Sequence, residues 1–205
     1  MKYKLVIFDF DGTLADSFPW FISILGRVAD KYRFNKVKAE EIEKFRGKES
    51  HQILKDLGIS FWKMPFIARY MRKLMREEIH TINLFNGIDS LLQQINGMGV
   101  TLAIVTSNSY ENVSAVLGAK NMALIKYFEC GVSMFGKRAK LNKVIKACGV
   151  SRTESILIGD EIRDIEAAQG AGIASGAVIW GYSSAPALEA KSPTIVFTSI
   201  DDILS

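Results

Sequence analysis

The sequence has little of what marks the more specialised classes of protein. Its 205 residues include only two cysteines, Cys130 and Cys148, and four prolines. Two cysteines cannot form a disulfide framework, so a small disulfide-stapled fold is excluded and a reduced compartment is expected. No apolar run approaches the roughly 18 to 20 residues that a membrane span needs, and the run before Asp9 lacks a signal-peptide cleavage site. We therefore expect a cytoplasmic protein without a membrane segment.

A strong excess of charge is missing as well. Lys and Arg total 26 against 22 acidic residues, which gives a formal charge of +4. The excess is spread along the chain and is not concentrated among aromatic residues, so nucleic-acid binding is not expected. Hydrophobic residues make up 48% and charged residues 23% of the chain, which excludes wholesale disorder. The length fits one domain, or one domain that carries a small inserted domain.

Short apolar runs rich in β-branched residues predict buried parallel strands. Three of them, at 5–8, 101–105 and 155–158, each end in a polar cluster, and 177–180 and 194–197 are further candidates. Helical periodicity occupies the intervals after residue 83, so strands and helices alternate there. This alternation predicts an α/β fold with a Rossmann-like three-layer α/β/α core around a parallel sheet.

A helical block interrupts this alternation after the first strand. It contains no convincing strand and is too long for a simple crossover between two strands. Helices are predicted at 18–32, 38–45, 50–57 and 61–80. We therefore expect an inserted all-helical domain at 16–82 and a core formed by 1–15 and 83–205.

The first polar cluster contains two carboxylates, Asp9 and Asp11, directly after a strand. Ligands of open α/β sheets bind beyond the carboxyl ends of the strands, and the i, i+2 spacing points both side chains to the same side. Gly12 allows a tight turn there, and Thr13 can cap the following segment. Such a pair can divide the work of nucleophile and general acid/base.

Two further polar clusters follow the other strands. Asp160 and Asp164 lie four residues apart after the strand at 155–158, and hydroxyl side chains follow the strand at 101–105. The carboxylates have no His or Cys among them, which favours a hard cation such as Mg²⁺ over zinc. A magnesium site is therefore predicted where these strands end.

These motifs resemble those of the haloacid dehalogenase-like hydrolase superfamily. The segment DFDGTL at 9–14 resembles its first signature, and GDEIRD at 159–164 matches its fourth, Gly-Asp-x-x-x-Asp. Thr106 and Lys137 are similar to the second and third signatures, and the block at 16–82 stands where the superfamily carries a helical cap. The resemblance covers the whole chain and is nearest to the sub-group of phosphoglycolate phosphatases and β-phosphoglucomutase.

The resemblance implies a role for each carboxylate. Asp9 would attack phosphorus and form an aspartyl phosphate, while Asp11 would protonate the leaving alkoxide and then deprotonate water. Mg²⁺ would be held by Asp9, by the backbone carbonyl of Asp11 and by Asp160. Asp164 would orient the site lysine or metal-bound water. The metal would offset the repulsion between these carboxylates and a phosphate dianion.

The resemblance also implies a phosphate-binding set. The Thr106 hydroxyl and the backbone amides of Ser107 and Phe10 would hold the phosphoryl oxygens. Asn108, in the same cluster, is a further candidate for substrate binding. The Ser107 hydroxyl could compete with that of Thr106.

Several cations are candidates around this set. Lys137 would add positive charge beside the phosphate, although Lys140, one helical turn further on, could replace it. Arg46 lies at a helix junction of the expected cap and suits a second anionic group of the substrate. Lys48 and His51 are similar to the cap residues of phosphonoacetaldehyde hydrolases, which form a Schiff base through the lysine.

Asp11 favours phosphoester chemistry, because an alkoxide leaving group needs a proton and a halide does not. Dehalogenases and phosphonoacetaldehyde hydrolases lack this second acid. We expect a magnesium-dependent phosphatase of a small phosphorylated metabolite, acting as a monomer or homodimer without nucleic-acid or membrane partners. The alternatives are a phosphomutase or phosphonatase with the same nucleophile, or a non-catalytic relative that binds a phosphorylated metabolite.

Overall fold

A computed structural model describes residues 2–133 and 136–204, so Met1, Met134, Phe135 and Ser205 lie outside the described residues. The described strands form one six-stranded parallel sheet in the order β3-β2-β1-β4-β5-β6. The strands are β1 (Leu5–Phe8), β2 (Thr101–Val105), β3 (Ile125–Glu129), β4 (Ser155–Gly159), β5 (Ala174–Val178) and β6 (Ile195–Phe197). Between them run α5 (Ile88–Gly97), α6 (Tyr110–Met122), α7 (Lys137–Cys148), α8 (Ile162–Ala171) and α9 (Ala185–Glu189).

The central strands are buried on both faces, which explains their continuous apolar sequence. All four residues of β1 are fully buried. Val6 and Phe8 pack in the cluster that contains the apolar stripe of α5, whereas Leu5 and Ile7 pack in the cluster that contains α7. Because alternate side chains face opposite layers, helices cover both sides of the sheet. The predicted three-layer α/β/α core is confirmed.

Two strands differ from the sequence-based prediction. The prediction of a strand at 177–180 was wrong in its bounds, because β5 begins at Ala174 and ends at Val178. Its small residues pack closely: a methyl group on Gly176 would come within 2.6 Å of the Phe197 ring. The edge strand β3 was not predicted, since only its first residue, Ile125, is buried.

Residues 16–82 form helices, as predicted, and are called here the helical segment. It contains α1 (Phe18–Tyr32), α2 (Ile42–Arg46), α3 (Ser50–Asp56) and α4 (Met64–Glu77), with short 3-10 turns at Ala39–Glu41, Phe61–Lys63 and Ile79–Thr81. The predicted helix at 61–80 is thus divided into a turn, α4 and a second turn. The division into a core at 1–15 and 83–205 and an inserted domain at 16–82 stays a prediction.

The two ends of the helical segment lie side by side. The Asp16 amide donates to the Asn83 carbonyl at 2.8 Å, and the Phe85 amide donates to the Leu14 carbonyl at 3.0 Å. Ala15 and Leu84 form an antiparallel bridge between them. The chain therefore leaves the core and returns to it through one short two-stranded ribbon.

Within the described ranges, no helix has the length and apolar character needed to cross a membrane. The cytoplasmic location stays a prediction.

Candidate active site

The turn after β1 places Asp9 and Asp11 at the carboxyl end of the sheet. The Asp9 amide donates to the Ile158 carbonyl of β4 at 2.9 Å, which fixes the end of β1 against its neighbour. Beyond it the Gly12 amide donates to the Ala15 carbonyl at 2.9 Å, and Gly12 adopts a φ of +75°, a left-handed value that favours glycine. Phe10 points into the core and is fully buried.

Asp160 lies opposite this turn at the end of β4. Its Oδ1 accepts a hydrogen bond from the Thr13 hydroxyl at 2.6 Å, and its Oδ2 accepts one from the Tyr182 amide at 2.8 Å. Glycines allow this close packing, because a methyl group on Gly12 or Gly181 would collide with the Asp160 side chain. Gly12 and Thr13, two of the three residues expected from the sequence to support the site, therefore both adjoin Asp160: Thr13 donates a hydrogen bond to it, and Gly12 leaves room for it.

A buried lysine joins two of the carboxylates. Lys137 Nζ, at the first residue of α7, lies 2.9 Å from Asp9 Oδ2 and 2.5 Å from Asp164 Oδ1. The Asp164 Oδ2 atom accepts a hydrogen bond from the Glu161 amide, so both of its oxygens have partners. Lys140 instead pairs with Glu129 at 2.8 Å and is half-exposed. Of the two candidate lysines, the structure brings Lys137 to the carboxylates.

The charges of this group are only partly balanced. Burial raises the pKa of Asp160 well above its ordinary value, and the charges of Glu161 and Asp9 raise it further. Burial also raises the pKa of Asp9, although Lys137 opposes the shift. For Lys137, burial favours the neutral amine, but the charges of Asp164 and Asp9 outweigh it and raise the pKa. The lysine therefore stays charged, and a further cation beside Asp9 and Asp160 would lower their raised pKa values.

Asp11 has different surroundings from Asp9. Asn108 Nδ2 donates to both of its carboxylate oxygens, at 2.9 and 3.2 Å. Desolvation raises the pKa of Asp11 to about 7, with the charge of Asp9 adding to the shift and hydrogen bonds from Ser17 and Asn108 opposing it. A carboxyl group with such a pKa can both donate and accept a proton near neutral pH.

The loop after β2 faces the same centre. Thr106 is buried, and its hydroxyl oxygen accepts a hydrogen bond from the Asn108 amide at 3.1 Å. Ser107 is less buried, and its carbonyl accepts a hydrogen bond from Arg72 of α4. The structure thus brings Thr106 and Asn108 to the carboxylates, while their roles in phosphate binding stay predictions.

The carboxylates fit a divalent cation. Asp9, Asp160 and Asp164 each offer an oxygen, and these atoms lie within 4.8 Å of one another. All three side chains are buried, and the donor set is oxygen alone, which suits Mg²⁺. Lys137 contacts both Asp9 and Asp164, and both oxygens of Asp164 have partners. That Asp9 and Asp160 hold the ion while Asp164 orients the lysine or metal-bound water stays a prediction.

The comparisons with known proteins agree with this geometry. Residues 6–178 match the haloacid dehalogenase-like hydrolase family. The chain belongs to the haloacid dehalogenase-like hydrolases. The family resemblance inferred from the DFDGTL and GDEIRD motifs is thereby confirmed.

Relatives of the hydrolase cover almost its whole length. A phosphoglycolate phosphatase of Synechococcus elongatus is 28% identical over 202 residues, covering 98% of this chain and 95% of the relative. The pyrophosphatase PpaX of Bacillus cereus is 25% identical over 210 residues, covering 100% and 96%. A haloacid dehalogenase-like family protein of Streptococcus pneumoniae superposes with a TM-score of 0.80 at 19% identity, covering 99% and 97%, which shows a shared fold.

Arg46 of the hydrolase contacts the loop after β5 and a neighbouring glutamate of α2. Its Nε and Nη2 donate to the carbonyls of Tyr182 and Gly181 at 3.1 and 2.9 Å, and Nη1 pairs with Glu43 at 2.9 Å. The Ser184 amide donates in return to the Arg46 carbonyl at 2.9 Å. This arginine therefore fastens α2 to the loop after β5, and binding of a substrate anion by Arg46 stays a prediction.

The remaining cap candidates of the hydrolase, Lys48 and His51, form ion pairs with residues of the helical segment. Lys48 forms an ion pair with Asp56. His51 Nδ1 lies 3.1 Å from Glu49 Oε2, and its side chain is exposed.

The sequence analysis missed the loop that follows β5 of the hydrolase. Tyr182 donates its amide to Asp160, and its hydroxyl lies 3.0 Å from the Ser17 hydroxyl. Its ring packs against Phe18 and Phe21 of α1, with ring centroids 5.0 and 5.2 Å apart. The available signal was the polar cluster GYSS at 181–184, which directly follows the predicted strand at 177–180 as the other polar clusters follow their strands.

Proposed function

We propose that the hydrolase is a magnesium-dependent phosphatase that cleaves a small phosphorylated metabolite through an aspartyl-phosphate intermediate. The observation that carries the proposal is the difference between its two strand-end carboxylates. Asp9 is held by the Lys137 ammonium, whereas Asp11 is held by the neutral Asn108 amide. The relatives named phosphoglycolate phosphatase and pyrophosphatase support phosphorus as the centre attacked.

The first carboxylate suits nucleophilic attack. Lys137 occupies Oδ2 of Asp9, so Oδ1 is the atom that would bond to phosphorus. As that bond forms, the ester P–O bond breaks, and Asp11 donates its proton to the departing alkoxide oxygen. Asp11 then takes a proton from water, whose oxygen attacks phosphorus. The bond to Asp9 breaks, and inorganic phosphate leaves.

Other groups of the chain would stabilise the charge that builds up on the phosphoryl oxygens. The buried Thr106 hydroxyl and the amides of Phe10 and Ser107 would donate hydrogen bonds to them, and Lys137 would balance their charge. When bound, Mg²⁺ supplies further positive charge, which offsets the repulsion between Asp9 and a phosphate dianion.

The substrate would be phosphoglycolate-like or a sugar phosphate. Hydrolysis is favoured over phosphonatase chemistry, because Asp11 is present and the Lys48 ammonium is engaged by Asp56. A phosphomutase shares the first step and differs in what accepts the phosphoryl group. A non-catalytic relative would bind such esters without releasing phosphate.

The test is phosphate release from a panel of small phosphomonoesters with and without Mg²⁺. Asp9→Asn should abolish release while the protein remains folded, because the amide cannot act as the nucleophile. Asp16→Asn is the matched control, since Asp16 is an exposed aspartate on the same segment and should leave turnover unchanged. Release without Mg²⁺, or turnover that survives in Asp9→Asn, would contradict the proposal.

A further inference from the structure

Arg72 of α4 lies against the loop that carries the phosphate-binding candidates. Its Nη1 donates to the Ser107 carbonyl at 3.0 Å, and its own carbonyl accepts a hydrogen bond from Asn112 Nδ2 at 3.0 Å. Met75, one turn further along α4, contacts Asn108 Nδ2 through its sulfur at 2.9 Å. The same Asn108 amide binds Asp11. This face of α4 therefore borders the side of the site from which the leaving group departs.

The Arg72 guanidinium is a partly buried cation that forms no ion pair with a described carboxylate. Burial alone lowers its pKa, and none of the carboxylates in 2–133 and 136–204 forms an ion pair with it. Its neighbours on α4 are different: Lys73 pairs with Glu77 and Arg76 pairs with Glu111, on exposed side chains. Desolvating a charge is unfavourable unless an opposite charge compensates it. An anion beside Ser107 would supply that compensation.

Arg72 also has donors to spare. A guanidinium carries five N–H donors, and within the described chain its side chain uses only Nη1, on the Ser107 carbonyl. Arg46, by contrast, engages all three of its nitrogens with Gly181, Tyr182 and Glu43. Arg72 thus differs from Arg46 in that its Nε and Nη2 make no hydrogen bond to the described chain, and these two nitrogens can together form a bidentate contact with an oxyanion.

We infer that Arg72 binds a second anionic group of the substrate, so that the enzyme selects small phosphomonoesters that also carry a carboxylate or a second phosphate. This inference rests on the proposed phosphatase function and narrows its substrate class. The reacting phosphate would lie at Asp9, and the second oxyanion would lie between α4 and the loop after β2.

The experiment compares matched esters in matched variants. 2-Phosphoglycolate is paired with ethyl phosphate, and fructose 1,6-bisphosphate with fructose 6-phosphate, so that each pair differs in one anionic group. Arg72→Met should lower kcat/KM by about ten- to a hundredfold, mainly through KM, for 2-phosphoglycolate and fructose 1,6-bisphosphate, which carry a second anionic group. For ethyl phosphate and fructose 6-phosphate, kcat/KM should change by no more than about twofold. Arg72→Lys should recover part of the loss. Arg76→Met, which removes an exposed cation from the same helix, should change neither pair.

The first pair tests recognition of a carboxylate, and the second pair tests recognition of a second phosphate. An equal loss of kcat/KM on both members of each pair would overturn the inference, because it would indicate a purely structural role for Arg72. Equal wild-type kcat/KM within both pairs would overturn it too.

Calorimetric binding of the same esters to Asp9→Asn, with and without Arg72→Met, reads out recognition independently of turnover. If the wild type released no phosphate but this binding preference persisted and was lost with Arg72→Met, the proposed hydrolysis would fail while the assignment of Arg72 stood. Absence of the binding preference would refute the assignment.

Discussion

Replacing Gly12 by alanine tests whether the turn after β1 holds Asp160 in its working position. The new methyl group would lie 2.8 Å from Asp160 Cγ and closer still to Oδ2 and to the Tyr182 ring. Gly12 also has a φ of +75°, which an alanine adopts at a cost of about 1–2 kcal/mol. Gly99 provides the matched control, since its φ is +74° and no atom would lie within 4 Å of an added methyl group.

The two substitutions should have different effects on stability and activity. Gly99→Ala should lower Tm by about 2–8 °C, because 1 kcal/mol corresponds to about 2–4 °C in a protein of this size. Gly12→Ala should lower Tm further, because its methyl group also collides with Asp160 and Tyr182. Only Gly12→Ala has to displace the Asp160 carboxylate, and a displacement of about 1 Å in a catalytic group lowers turnover by about a hundredfold. Gly12→Ala should also bind Mg²⁺ more weakly.

Thermal melts, calorimetric Mg²⁺ titration and phosphate release measure the three effects. Gly12→Ala with wild-type turnover and Mg²⁺ affinity would refute the reasoning, since Asp160 would then tolerate displacement or lie outside the working site. A similar loss of turnover in Gly99→Ala would show that backbone strain alone is responsible.

Two further pairs of variants test the cations around the site. Lys137→Met should lower kcat at least about a hundredfold, because it leaves Asp9 without its ammonium partner. Lys140→Met should change kcat by no more than about twofold, because Lys140 pairs with Glu129 instead. Equal losses in steady-state phosphate release would contradict this expectation. Arg46→Met should raise the Mg²⁺ concentration for half-maximal activity about tenfold, because Arg46 holds the loop that binds Asp160. Lys191→Met breaks another contact between the helical segment and the core and should leave this Mg²⁺ concentration unchanged. A Mg²⁺ titration in which both variants shift alike would refute the coupling between Arg46 and Asp160.

The parts of the fold that the sequence predicted well are those whose burial is uniform. β1 is buried at every residue and its predicted bounds, 5–8, are those observed, because a short run apolar on both faces has few other interpretations. The positions of Asp160 and Asp164 at the end of a strand were predicted because a buried strand, a glycine and the start of a helix follow one another in the sequence. Local sequence is enough where one motif sets both the turn and the side chains.

The missed elements depend on neighbours distant in the chain. β5 is a strand because small residues such as Gly176 fit against Phe197, and no local propensity reveals that fit. Tyr182, whose amide binds Asp160, lies 22 positions from it in the chain, so the local sequence does not show this contact. The partner of Asp11, Asn108, is 97 positions away, and only the parallel register of β1 and β2 brings the two together.

The ribbon at the two ends of the helical segment has a consequence for how specificity can change. Ala15 and Leu84 are paired, so residues 16–82 are connected to the core as a single long loop whose two ends are in contact. Lengthening a loop from about five residues to the size of this segment adds only about 2 kcal/mol of closure entropy. The proposed reacting groups Asp9, Lys137 and Asp160 all lie outside that loop, whereas Arg46 and Arg72, proposed to set specificity, lie within it. Exchange of the segment at this junction would therefore replace the selectivity of the enzyme and leave its chemistry on the sheet.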